Sequence, residues 1–267
     1  METLLDLLDN TDKRVLFITG AGISVNSGIP PYRGSSDAVW SNFVQDFATR
    51  KKFLMDPLSW YNEFWLPTHY KTEYLKAETN CGHDALAYIC KHYPNACVIT
   101  QNVDGLHKGI DDKQLIEVHG NMHAGFKCVN SECSWKEKTI DINEVDLLYC
   151  AEKNSLSRDM HKFQLEKAPT CPQCNSAVLP QALLFDEEYS SHPFYEWDAA
   201  SDWIEDAAGI VFIGTSLSVG LTKTALDASR KTPAAKLFNI NITSMNNEIR
   251  QNDVSRMNDI LGPSEQV

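Results

Sequence analysis

The chain has no long hydrophobic run. Nowhere in its 267 residues does an apolar stretch approach the roughly 20 residues that cross a bilayer, so no membrane partner is expected. Positive charge is also scarce: 24 Lys and Arg stand against 36 Asp and Glu, a formal net charge of −12. Nucleic-acid binding relies on basic side chains that neutralise phosphates, and this balance argues against it. An acidic surface is compatible with steering basic peptides, although acidity often serves solubility and does not by itself choose a substrate. Internal repeats and low-complexity tracts are missing too. The opening Met1-Glu2-Thr3-Leu4-Leu5-Asp6-Leu7-Leu8-Asp9 carries carboxylates where a signal peptide needs positive charge. Its leucines fit a short amphipathic helix. The expected location is intracellular, in the cytoplasm.

What is present begins with eight cysteines, which in an intracellular chain point to metal or buried thiols before disulfides. Cys128 and Cys133 form one close pair and Cys171 and Cys174 another, whereas Cys81, Cys90, Cys97 and Cys150 are scattered. The scattered four read as small buried hydrophobes. The paired four suit a tetrahedral zinc ion closed to water, hence a structural site. A thioredoxin-like redox role for Cys171-Pro172-Gln173-Cys174 would leave the other pair without a purpose.

Short β-rich apolar runs recur at Arg14 to Thr19, Ala96 to Thr100, Leu115 to Val118, Ala182 to Phe185, Gly209 to Gly214 and Lys236 to Ile240. Helical patterns lie between them, at His83 to Lys91, Tyr195 to Ala207 and Thr222 to Lys231. This alternation predicts an α/β fold, a parallel sheet with helices on both faces. Two stretches break the rhythm. Residues 34–80 are rich in aromatics without a strand signal and are expected to form a helical insertion with its own small core. Residues 123–179 carry the cysteine pairs and read as a small metal-stapled module. The remaining 1–33, 81–122 and 180–261 would form one discontinuous large domain, and 262–267 a loose tail.

The chemistry concentrates at strand ends. An apolar run breaks into Thr19-Gly20-Ala21-Gly22-Ile23-Ser24-Val25-Asn26-Ser27-Gly28-Ile29-Pro30, and another ends in Thr100-Gln101-Asn102-Val103-Asp104-Gly105-Leu106-His107. Glycines after a buried strand let bare backbone approach a pyrophosphate, and ligands of open α/β sheets bind beyond the strands' carboxyl ends. Val25 stands where the dehydrogenase fingerprint needs its third glycine, which disfavours hydride transfer. His119 ends a further strand in Glu117-Val118-His119-Gly120-Asn121. Its imidazole titrates near neutrality and suits a general base.

Together these segments resemble the sirtuins, NAD-dependent protein-lysine deacylases with a Rossmann-like large domain and a four-cysteine zinc module. The resemblance covers residues 10 to 255, with the helical insertion its weakest part. It implies that NAD is held by Gly20, Ala21, Gly22, Ile23, Ser24 and Ile29, and by Tyr32 and Arg33 of a closing loop in which Pro31 replaces the family's acidic residue. Asp104 would hold the nicotinamide carboxamide, while Gln101 and Asn102 would organise the ribose and a nearby water. Gly214, Thr215 and Ser216 would hold the adenosine ribose, with Asn241 and Val254 further along. His119 would activate the ribose hydroxyl, after the substrate's acyl oxygen has attacked the ribose carbon, giving free lysine, nicotinamide and O-acyl-ADP-ribose. His107 reads as a structural turn residue.

Pro180-Gln181-Ala182-Leu183-Leu184-Phe185-Asp186-Glu187 is similar to the family's substrate strand. An acylated-lysine peptide would add to it by β-augmentation, on Leu184, Phe185, Asp186 and Glu187, with Val219 and Gly220 opposite. Asp186, in place of the usual glycine, would add a carboxylate at the groove. Family members that remove acidic acyl groups carry a Tyr-x-x-Arg pair; its match is Tyr61-Asn62-Glu63-Phe64, where Phe64 offers no cation. Acetyl is therefore the expected acyl group. Two alternatives remain: an NAD glycohydrolase or ADP-ribosyltransferase using the same site, and an NAD-responsive binding module without turnover. Nothing in the sequence sets the oligomeric state.

Overall fold

The computed structural model describes residues 3–30, 46–70, 72–145, 164–217, 220–232, 234–242 and 251–262. Its strands, in chain order, are β1 (Val15–Thr19), β2 (Ala96–Thr100), β3 (Leu115–Glu117), β4 (Phe126–Cys128), β5 (Thr139–Ile140), β6 (Val178–Pro180), β7 (Gly209–Ile213), β8 (Lys236–Asn241) and β9 (Met257–Leu261). Six of them build one sheet in the order β3-β2-β1-β7-β8-β9, every neighbour parallel. Counted by themselves, these six run 3-2-1-4-5-6, the doubly wound arrangement whose ligand crevice opens beside the first strand.

Why the central strands are apolar throughout is visible in their two faces. Val15, Phe17, Ala96, Val98, Val211 and Ile213 pack with Leu7, Leu8, Leu86 and Cys90 on one side. Leu16, Ile18, Cys97, Ile99, Ile210 and Phe212 pack with Ala200, Trp203, Ile204, Leu221 and Ala225 on the other. Alternate residues thus meet different helix layers, Leu4–Asn10 and Cys81–His92 against Trp197–Asp206 and Gly220–Lys231. The three expected helices form, each shifted by a few residues. β9 was not expected. Its Met-Asn-Asp-Ile-Leu is polar at the middle and lies at the sheet edge, partly exposed, so the apolar signal of a covered strand is missing.

The strand expected over Ala182 to Phe185 does not form. Ala182 makes a single bridge to Gly120, and the strand lies earlier, as β6, in a small antiparallel sheet ordered β5-β4-β6. The aromatic insertion also departs from expectation. It is helical in its described part, including Arg50–Met55 and the wide turns of Trp60–Trp65. But Phe53, Trp60, Tyr61, Phe64 and Trp65 share one core with Cys128, Cys133, Ile140, Cys171 and Val178. Neither segment has enough apolar surface for a core alone, so insertion and cysteine module fold as one lobe.

Candidate functional site

The turn after β1 and the turn after β7 interlock. Gly20 N–H donates to the Ile213 carbonyl at 3.0 Å and Gly22 N–H to the Gly214 carbonyl at 2.8 Å. A methyl group on Gly22 would lie 2.6 Å from the Gly214 Cα, and one on Gly20 would lie 2.9 Å from the Thr215 Cα. These glycines are therefore required first by backbone meeting backbone, before any ligand arrives. A tight helical turn, Ala21–Ser27, follows and ends on Gly28 at φ 89°.

Ser24, on that turn, collects the second strand end. Its hydroxyl donates to Asp104 Oδ2 at 2.7 Å and accepts from Asn102 Nδ2 at 3.2 Å. Asn102 also donates to the Gly20 carbonyl. His83 Nε2 lies 3.4 Å from the same hydroxyl. Its Nδ1 accepts from Asn80 N–H, so Nε2 carries the proton and donates to Ser24. Burial lowers the His83 pKa, with Asp104 opposing. Gln101 Nε2 donates to Thr215 Oγ1 at 3.2 Å, and Asn241 Nδ2 to the Thr215 carbonyl at 3.0 Å. His107 is buried, its Nε2 2.8 Å from the Thr19 hydroxyl.

His119 stands just past β3, where Gly120 turns the chain at φ 88°. Its Nδ1 is 2.8 Å from the Gln101 carbonyl and its Nε2 is 3.2 Å from the Tyr189 hydroxyl. Burial pushes its pKa down to about 4, with the Gln101 carbonyl opposing. At neutral pH it is an uncharged base. His83 and Tyr189 escaped the sequence reading. The signal for His83 is its place three residues after the helix cap Asn80; Tyr189 has none, lying 70 residues from His119.

A cleft beside these turns is lined by Ala21, Ile29, Asn102, Asp104, Thr68 and His69, among others. Thr68 and His69 come from the helical insertion, which thus contributes different residues from those expected. Tyr61 is buried and donates to the Val178 carbonyl at 2.6 Å, and Phe64 lies in the same core. Neither side chain lines the cleft, so this pair does not set the charge of the acyl group. Tyr32, Arg33 and Val219 lie outside the described residues, as does Pro31. Ser216 is exposed on the β7 turn, and Val254 ends the short helix Gln251–Val254.

The expected substrate segment is tied inward. Ala182, Leu183 and Phe185 donate their N–H groups to the carbonyls of Pro180, His119 and Ala48, and Leu184 donates to Glu187 Oε2. Leu184 is buried and Phe185 half exposed. Asp186 does not face a groove: its oxygens accept from Arg50 and Lys51 N–H at 2.6 and 2.9 Å, capping the helix Arg50–Met55. Glu187 binds Lys127 Nζ at 2.5 Å. Gly220 packs against the Tyr189 ring.

The four paired cysteines converge, all four sulfurs within 4.8 Å of one another. Cys128 and Cys174 are 3.6 Å apart and Cys133 and Cys171 3.9 Å. Tetrahedral zinc with bonds near 2.3 Å puts sulfurs about 3.8 Å apart, so this set fits the ion and leaves no open position.

Among known proteins, the Sir2 family model matches residues 20–220. An NAD-dependent deacetylase, sir2E of Dictyostelium discoideum, is 42% identical over 95% of this chain and 71% of its own length. An NAD-dependent protein deacylase of Pyrococcus abyssi is 33% identical over 77% of this chain and 73% of its own. Of solved structures, Sir2 with a p53 peptide and NAD+ is similar at 26% identity and a TM-score of 0.66, over 98% of this chain and 92% of that one.

Proposed function

The chain belongs to the Sir2 family, and from that premise we propose that it is an NAD-dependent protein deacylase acting on acylated-lysine peptides. The observation that carries this reading is His119, a half-buried imidazole just past β3 whose Nδ1 is held by the Gln101 carbonyl at the end of β2. NAD supplies an electrophilic ribose carbon when nicotinamide departs. Asp104, held by Ser24, would hold the nicotinamide carboxamide, and Gln101 and Asn102, the latter also held by Ser24, would organise the ribose and a nearby water. The turns at 20–24 and 214–216, with Asn241, would hold the rest of the dinucleotide. His119 would take the proton of the ribose hydroxyl that attacks the acyl carbon. The cysteines would hold a structural zinc.

One observation favours a second reading. Every N–H from Ala182 to Phe185 already has a partner within the protein, so a peptide strand would have to displace these bonds or pair elsewhere. NAD hydrolysis or ADP-ribosyl transfer at the same site needs no such strand. Mass spectrometry of products from NAD with an acetyl-lysine peptide separates the two. We expect O-acetyl-ADP-ribose and free lysine, both lost in His119→Ala while the fold persists. Free ADP-ribose alone from the wild type would move the hydrolase reading ahead.

A further inference from the structure

His119, just past β3, has one nitrogen already committed. Its Nδ1 faces the Gln101 carbonyl, which only accepts, so Nδ1 carries the proton and Nε2 the lone pair. Tyr189 must then donate its hydroxyl proton to Nε2 across the 3.2 Å between them. The same oxygen accepts from Leu221 N–H at 3.2 Å. A phenol oxygen has one proton and two lone pairs. His119 takes the proton, Leu221 one lone pair, and the second lone pair is left for an incoming donor.

The ring is firmly placed. Tyr189 stacks on His119 with centroids 5.6 Å apart and planes 15° apart, and on Trp197 at 4.3 Å and 14°. Gly220 closes a third side, its position such that a methyl group there would touch the phenol at 3.4 Å. Burial raises the Tyr189 pKa, opposed by the Leu221 hydrogen bond, and keeps it a neutral phenol. The basic nitrogen of His119 is thus already engaged by the Tyr189 hydroxyl, at 3.2 Å.

We propose that Tyr189 is a proton relay between the ribose hydroxyl and His119. The proposal deepens the deacylase reading and rests on it. In the step, the ribose O–H bond breaks and an O–H bond forms on Tyr189. At the same time the original Tyr189 O–H bond breaks and an N–H bond forms on Nε2. Tyr189 ends as it began, His119 ends as an imidazolium steadied by the Gln101 carbonyl, and the ribose oxygen is free to attack the acyl carbon. No other reactant is needed.

The test is Tyr189→Phe, which keeps the stack and removes the hydroxyl. Deacylation kcat should fall about 100-fold, the lower end of what a lost acid–base group costs, with little change in KM for NAD or peptide. Nicotinamide exchange, which takes no proton from the ribose, should fall far less. The solvent proton inventory should change from curved, with two protons in flight, to linear. Without NAD, 15N spectra of histidine-labelled protein should show His119 protonated at Nδ1 in both proteins, with the Nε2 resonance moving downfield when the phenol is removed. An unchanged kcat overturns the relay. So does a faster variant, which would make Tyr189 a cap on His119, or exchange lost in step with deacylation, which would make it a general support of the site. A wild type that yields no deacylated peptide would instead sink the deacylase reading, and the relay with it, whatever the nitrogen spectra show.

Discussion

Glu117, His119 and His107 respond to pH in opposite senses. Burial pushes the Glu117 carboxyl up to about 7, with Asp104 and Asp112 adding to it and the Asn121 hydrogen bond opposing. Burial holds His119 at about 4, and burial with His83 nearby holds His107 at about 3. An unfolded histidine protonates near pH 6.5. Below that, the unfolded chain binds more protons than the folded one, and stability falls with acidification down to the folded values. Glu117 works the other way: folded, it keeps a proton between about pH 4.5 and 7 that the unfolded chain releases, so its contribution is lost as pH rises. Across pH 4.5 to 6.5 the two histidines outweigh the one glutamate. Glu117→Gln should therefore steepen the loss of stability on acidification by about one proton, roughly 1.4 kcal/mol per pH unit. Urea midpoints from pH 7.5 to 4.5 measure it, and an unchanged slope would mean that Glu117 is ionised in the fold.

Among the elements, β4 does more than pair with its sheet neighbours. Its Lys127 sends a buried ammonium to Glu187 at 2.5 Å, the Tyr195 hydroxyl at 2.7 Å and the Ala182 carbonyl at 3.0 Å. Burial lowers the Lys127 pKa, and the Glu187 charge opposes that. The segment from Ala182 to Glu187 is thereby fastened to the small sheet instead of forming a strand of its own. Glu187→Leu strands a buried charge and should cost about 3–5 kcal/mol, whereas Lys127→Met with Glu187→Leu should recover much of that. Guanidinium denaturation of the two single variants and the double variant decides it; a double variant as unstable as the sum of its singles would show that the two groups do not depend on each other.

For the molecule as a whole, two lobes rest on different chemistry. The large sheet is held by apolar layers on both faces, and the other lobe joins its aromatics to the buried Cys128, Cys133 and Cys171. Metal analysis should find about one zinc per chain. Chelation should loosen the cysteine lobe first, because structural zinc contributes directly to folding. Trp60, Trp65 and Trp135 belong to that lobe and should change their fluorescence, while far-ultraviolet dichroism of the parallel sheet persists. A zinc-free protein that melts at the same temperature would overturn this division.

Local sequence was enough for whatever depends on chain neighbours. Unbroken apolar runs such as Val15–Thr19 and Ala96–Thr100 are readable because burial on both faces demands every residue. The loops beyond them are legible because glycine, amide and carboxylate follow a strand at once. Cysteine spacing announced the metal set. What tertiary structure alone decided lies where distant segments meet. Tyr189 reaches His119 only because the chain returns across β3, and Thr68 and His69 line the cleft because the insertion leans over it. Asp186 caps a helix that begins 136 residues earlier. Tyr61 and Phe64 turn into a shared core, because the apolar surface of two weak segments is stable only when pooled. Such contacts leave no periodicity in the sequence, since the chain between them is free to vary in length and composition.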